Sequence, residues 1–219
     1  LEMGFLDNRL TVTGEYFHKR NKDMLVNIEV PSVIGIDVPT GNYGELVVKG
    51  WEVSIGWRDQ IKDFNYFVSF NLADRKDKLV DYGVEYTGFT AGVDQKVQGY
   101  SIGSIFGFET DGYFQTSKEA QEAPAFNRAI QDAGDIRYID QDGDGKISAP
   151  NDLVYLGTTQ PRYEFSFHLG GSWKSIDFSA LFQGVGKRNF YLDGEVFQPF
   201  RDSWSNYSYT YFSDYWTPE

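Results

Sequence analysis

Five stretches of this chain alternate apolar and polar residues with a period of two. In Arg9–Phe17, Leu10, Val12, Gly14 and Tyr16 oppose Arg9, Thr11, Thr13 and Glu15. In Trp51–Asp59, Trp51, Val53, Ile55 and Trp57 oppose Glu52, Ser54, Gly56 and Arg58. In Phe64–Asp74, Phe64, Tyr66, Val68, Phe70 and Leu72 oppose Asn65, Ser69, Asn71 and Ala73, and only Phe67 breaks the polar side. Tyr163–Trp173 and Ile176–Val185 follow the same rule, with Phe165, Phe167, Phe178 and Phe182 opposing Glu164, Ser166, His168, Asp177, Ser179 and Gln183. Side chains of an extended strand alternate between its faces. Each stretch is therefore a strand with one apolar and one polar or small face. The pattern implies an all-β, antiparallel class and leaves two architectures. A soluble sandwich covers the apolar faces with a second sheet; a barrel wall turns them to lipid.

Two details favour the barrel. Aromatic residues make up 17% of the chain although hydrophobic residues total only 41%, and Trp51, Trp57, Tyr163 and Trp173 sit at strand ends, as in the girdles of membrane barrels. The connections also alternate in length. Leu6–Asn8, Gln60–Asp63 and Lys174–Ile176 are short; Asn21–Val48, Asp77–Pro161 and the chain from Asn189 onward are long. Barrels of the outer membrane have short periplasmic turns and long extracellular loops, and a long structureless loop would be foreign to a compact soluble domain. The expected fold is an antiparallel transmembrane β-barrel segment with long extracellular loops, the longest over about 77–161. No apolar run is long enough for a spanning helix, but a barrel strand needs only roughly 9–11 residues. Leu1–Leu6 reads as the end of a strand and Tyr215–Glu219 stops without a closing element, so a piece of a longer chain is expected. Within the longest loop, Thr116 and Ser117 are candidate caps of a helix running to about Asp132.

The chemistry the chain can carry is narrow. It has no cysteine, which removes disulfides, thiolate metal sites and cysteine nucleophiles. A net charge of −12 argues against nucleic acid as a partner. Neither a nucleophile elbow nor a phosphate loop is present, since Gly99–Ser104 lacks the lysine and the helix that would follow. No enzyme activity is expected. His18 and His168 lie on separate strand-like segments and read as lumen or interface residues. The sharpest motif is Asp140-Gln141-Asp142-Gly143-Asp144-Gly145-Lys146-Ile147-Ser148. Carboxylates at its first, third and fifth positions and glycine at the sixth can surround a hard cation such as Ca2+. Lys146 would offer its carbonyl and Ser148 its hydroxyl. The twelfth position is Asn151, so Asp152 joins only through a slightly longer loop. The competing reading is an acidic turn held by its own side-chain hydrogen bonds. Trp204, Tyr207, Tyr209 and Tyr211 are candidates for stacking on a sugar or peptide, against simple packing within a loop.

An ordered set of motifs resembles the SusC/RagA type of TonB-dependent transporter. The set is Gly50-Trp51-Glu52-Val53 with Trp57-Arg58-Asp59, Gly99–Gly103, Thr110–Gln115, Gly134–Asp140, the Asp-Gly-Asp-Gly turn, Leu156-Gly157 with Gln160-Pro161, Phe182-Gln183-Gly184 and Tyr215–Glu219. The resemblance implies the C-terminal portion of a 22-stranded outer-membrane barrel whose N-terminal plug lies outside this sequence. It implies import of oligosaccharide or peptide nutrients, with a SusD-like surface lipoprotein as lid, TonB as energy source and outer-membrane lipid around the wall. Glu52, Arg58, Asn65, Asn71 and Glu164 would then line the lumen. The rival from another class is a secreted, calcium-stabilised carbohydrate-binding β-sandwich.

Overall fold

The computed structural model describes residues 1–27, 40–82, 91–126, 130–192 and 216–217. In chain order the elements are β1 (Glu2–Phe5), β2 (Leu10–Asn27), β3 (Thr40–Ile61), β4 (Phe64–Tyr82), β5 (Gly92–Gln95), β6 (Ser104–Phe108), β7 (Thr110–Tyr113), α1 (Ser117–Glu122), β8 (Ala125–Phe126), β9 (Ile136–Tyr138), β10 (Lys146–Ile147), β11 (Leu153–Thr158), β12 (Arg162–Trp173) and β13 (Ile176–Lys187). They form two compact units, the first made of Leu1–Tyr86, Lys96–Gly103 and Thr158–Asn189 and the second of Thr87–Gln95, Ser104–Gly157 and Phe190–Glu219.

The first unit is one sheet in the order β1-β2-β3-β4-β12-β13. Every neighbouring pair in it is antiparallel. Pairing runs down to Ile61↔Phe64 and Trp173↔Ile176, which leaves two residues in each of those turns. Lys62 and Lys174 take positive φ there, as do Leu6, Asp7 and Asn8 in the turn between β1 and β2, the twist a tight hairpin needs. All the short turns lie at one end of the sheet, as the alternation of connection lengths requires.

The register sorts the side chains cleanly. Opposite residues share a face, so Leu10–Trp57–Val68–Leu169–Ala180 and Val12–Ile55–Phe70–Phe167–Phe182 are rows on one side. Thr13–Ser54–Asn71–Ser166–Gln183 is a row on the other. The apolar side is open: Tyr16, Ile176 and Phe178 are 69%, 66% and 61% exposed. A sandwich would bury those side chains, so this fold sets the sandwich aside. Among the described residues of this unit, the buried apolar ones, Val26, Leu79 and Val97, lie towards the long-connection end.

The strands are longer than the alternation shows. β2 runs to Asn27, β3 starts at Thr40 and β4 reaches Tyr82. The long connection expected over Asn21–Val48 is therefore mostly strand. Past the apolar rows these strands mix polar stretches with consecutive apolar residues such as Leu46-Val47-Val48, which erases the period-two signal without breaking the backbone pairing. The stretch between β4 and β12 is likewise structured. The second unit holds the sheets β11-β6-β5 and β7-β9, the parallel pair β10-β8, and a core of Ile105, Phe106, Phe114, Ala120, Ile147 and Leu153. The helix is shorter than expected. Thr116 caps it by accepting from the Glu119 N–H at 3.2 Å, but it ends at Glu122 rather than near Asp132. Pro124 explains the stop, because the residue before a proline is pushed out of the helical region, and Ala123 sits at φ −81, ψ 160.

Glycine is obligatory at Gly50, where a Cβ would meet the Phe17 ring at 2.4 Å and the Asp74 carbonyl at 2.7 Å. The ring of Phe17 fills the space that its cross-strand partner leaves. Gly50→Val is expected to lower stability by about 1–3 kcal/mol through overpacking. Phe17→Ala in the same chain should recover part of that loss, read as the shift in denaturant midpoint.

Candidate functional site

Two places can carry function, one in each unit. In the first unit it is the polar face of the sheet. Glu52, Arg58, Asn65, Asn71 and Glu164 all project from this side, as the alternation requires. A hydrogen-bonded ladder crosses three strands: the Ser54 hydroxyl donates to Asn71 Oδ1 at 2.6 Å, and Asn71 Nδ2 donates to the Ser166 hydroxyl at 3.0 Å. One row away, Glu15 and Glu52 stand opposite each other and Glu164 lies on the far side of Ala73. Arg75 supplies a partial counter-charge, 3.8 Å from Glu164. Nearer the short turns the same side opens into a cleft of ≈ 990 Å³ bordered by Arg58, Asn65, Ser69, His168, Ser172 and Ser179. Phe67 interrupts the polar face because its ring lies edge-on to His168 at 4.8 Å and over Gly170. His168 thus lies on the polar face and His18 on the apolar one. This face presents many polar groups, among them His168 directly opposite Ser69.

In the second unit the place is the acidic turn. Asp140, Asp142 and Asp144 bring carboxylate oxygens within 4.8 Å of one another. Much of the turn is self-supporting. Asp140 accepts from the Gly143 and Gly145 N–H groups at 2.6 and 2.8 Å. Asp142 accepts from the Asp144 N–H at 3.1 Å and from Asn151 Nδ2 at 2.9 Å, and Asp144 accepts from the Lys146 N–H at 2.8 Å. Gly143 and Gly145 have φ of 76° and 82°, where a side chain would be strained. The three aspartates keep lone pairs free for a hard cation. Asp152 has a different position. It is fully buried, and its two oxygens accept from the Gln141 N–H at 2.8 Å and the Ser148 N–H at 2.7 Å. It closes the loop from behind while the other three acids crowd its front. The sequence signal for that role is an acid one position late, beside an apolar Leu153.

No family model matches the chain. TonB-dependent receptor P26 of Formosa agariphila is 28% identical across the whole chain, which covers 22% of that receptor. TonB-dependent receptor P3 of the same organism is 29% identical over 84% of the chain and 19% of its own length. TonB-dependent receptor SusC of Bacteroides thetaiotaomicron is 24% identical over 78% of the chain and 18% of its own length. Among solved structures, the RagAB peptide importer in its open-open state covers 83% of the chain with a TM-score of 0.64 at 17% identity, and 19% of that chain is matched. The chain is SusC/RagA-like. It spans about a fifth of the length of the curated relatives it matches. Those relatives bear the names of receptors, not of enzymes, and the structural likeness assigns the sheet to a barrel wall.

In this SusC/RagA-like chain the scattered motifs turn out to hold one another. Gly99 and Tyr100 exchange backbone hydrogen bonds with Leu79, and Asp77 accepts from the Ser101 hydroxyl and from the Ile102 N–H. Thr110–Gln115 supplies β7, which pairs with β9 from Gly134–Asp140. Arg137 on β9 clasps Asp111 on β7 at 2.8 Å and ties the pair to Glu119 of α1 at 2.6 Å. Gly134 carries the Trp216 ring, 2.7 Å from where its Cβ would stand. Trp204, Tyr207, Tyr209 and Tyr211 lie outside the described residues. The Gly145 N–H holds the Asp140 carboxyl below its ordinary value of 3.8, against the opposing desolvation and with further help from Gly143. A depressed acid contributes stability that is present above its unfolded value and lost as pH falls through the folded one. The turn should therefore stay closed at neutral pH and open only below the usual carboxylate range. Amide exchange at Gly143 and Gly145 reads this directly, and Asp140→Asn should abolish the acid dependence.

Proposed function

We propose that this chain forms part of the wall and mouth of an outer-membrane importer that takes up oligosaccharide or peptide nutrients with energy from TonB. The observation that carries the reading is the six-stranded antiparallel sheet whose apolar rows lie open on one side and whose hydrogen-bonded polar rows lie on the other. Water would penalise that open apolar side, and a bilayer would accept it. The polar rows then face the lumen or the plug. The second unit, inserted between β4 and β12, belongs to the extracellular side, where a SusD-like surface lipoprotein would meet it. Trp204, Tyr207, Tyr209 and Tyr211 are our candidates for stacking on substrate. The likeness to RagAB supports the peptide class, since RagAB structures are described as a peptide transporter and importer. Deleting the gene should abolish growth on one oligosaccharide or peptide source while its extracellular cleavage continues unchanged. Loss of the cleavage itself would point to an enzyme and overturn the importer.

Within that function we assign the acidic turn a structural Ca2+, held by Asp140, Asp142 and Asp144 with the Lys146 carbonyl and the Ser148 hydroxyl as the remaining candidates. Support comes from three carboxylates converging within 4.8 Å, an arrangement that repels itself without a cation. Asp152 would hold the loop and stay off the ion. Calcium titrated into the full-length protein should raise the thermal midpoint, and Asp142→Asn with Asp144→Asn should remove the increment. An unchanged midpoint would leave the turn as a purely hydrogen-bonded one.

A further inference from the structure

The apolar face of the sheet changes chemistry within two residues at its long-connection end. The row Tyr16–Trp51–Asp74 is followed on the same face by His18–Lys49–Lys76, each directly opposite the next across β2, β3 and β4. The row beyond is Arg20–Val47–Lys78. All five basic side chains are exposed. The acids nearby already have partners: Glu45 binds Arg20 at 2.5 Å, Asp74 binds Arg162, and Asp81, opposite Glu45, is engaged as well. Among the described residues, His18, Lys49, Lys76 and Lys78 share no ion pair.

Like charges directly opposite on a sheet repel. A pair of facing lysines with a third two residues along is unfavourable unless an anion sits among them. Two further facts narrow the anion. The basic row caps a face that is apolar from Trp51 to Trp57 on β3, with Asp59 charged only beside the short turns, and it starts two residues past Tyr16 and Trp51, the residue types that settle at a membrane–water interface. Lysine stems can lie along such a surface while their amines reach outward. The height of the row is therefore that of lipid headgroups, and the complement to its charge is phosphate.

We propose that Lys49, Lys76 and Lys78, flanked by His18, bind the phosphorylated headgroup of a membrane lipid in the leaflet on the long-connection side. The proposal rests on the barrel reading given above. It is tested with the full-length protein in phosphatidylcholine nanodiscs containing diphosphorylated lipid A, with lipid retained on transfer to detergent counted by native mass spectrometry. Wild type and Lys19→Gln, whose lysine lies on the polar face, should retain lipid A. The variant Lys49→Gln/Lys76→Gln/Lys78→Gln should bind it on the order of tenfold to a hundredfold more weakly. Lys49→Gln and Lys76→Gln alone should each give part of that loss, which guards against misfolding of the triple variant. Equal retention by the triple variant, equal retention of dephosphorylated lipid A, or displacement by inorganic phosphate alone would overturn the lipid site while leaving the barrel intact. Failure of the wild type to enter nanodiscs at all would overturn both readings.

Discussion

Everything in the first unit depends on the register of one antiparallel ladder. A strand shifted by a single residue would carry its whole apolar set to the opposite face. Here the pairings Val12↔Ile55, Ile55↔Phe70, Phe70↔Phe167 and Phe167↔Phe182 hold across five strands without a slip. The same register aligns Ser54, Asn71 and Ser166 closely enough to hydrogen-bond in series. Polar pairing on one face and apolar rows on the other therefore specify one another. The tight turns with Lys62 and Lys174 in left-handed geometry set the starting point. The glycine–aromatic fit of Gly50 with Phe17 resists sliding further along.

The alternation made the wall legible because every wall strand meets two unlike environments. Its limit was the place where the environments become alike. β2 over His18–Asp23 is polar on both sides, and Met24-Leu25-Val26 and Leu46-Val47-Val48 are apolar runs that do not alternate, so the period-two signal is lost although the backbones remain paired. In the second unit the signal failed for a different reason. Its strands are two to six residues long, too short for a period to register, and its core is assembled from isolated positions such as Phe114 and Ile147. The helix cap at Thr116 was readable from local chemistry; the helix end was set by Pro124, which outweighed the helix-favouring residues around it.

The acidic turn conceals its most constrained member from a reading by spacing. Spacing singled out Asp140, Asp142 and Asp144 as a convergent trio, and the three do converge. Spacing counts acids without seeing their surroundings, so it does not set Asp152 apart from the other three. Burial separates them. A buried carboxylate satisfied by two backbone N–H groups is a closing element whose removal strands both donors, whereas at the front of the same loop Asp140 is half-buried and Asp142 and Asp144 are exposed.

The chemistry of the outer face also measures the wall. On β4 the apolar face begins at Phe64, opposite Trp173, and reaches the charged level at Asp74, opposite Trp51. Ten residue steps at roughly 3.3 Å each cover about 33 Å along the strand. Tilted by about 40°, as barrel strands are, that length projects to about 25 Å, the height of a barrel's apolar band. The lysine row begins two residues beyond, where headgroups must lie if the band spans the hydrocarbon. Thickness, aromatic position and onset of basic charge are independent properties of these strands. They agree on one boundary, and a soluble sheet would have no reason to make them coincide.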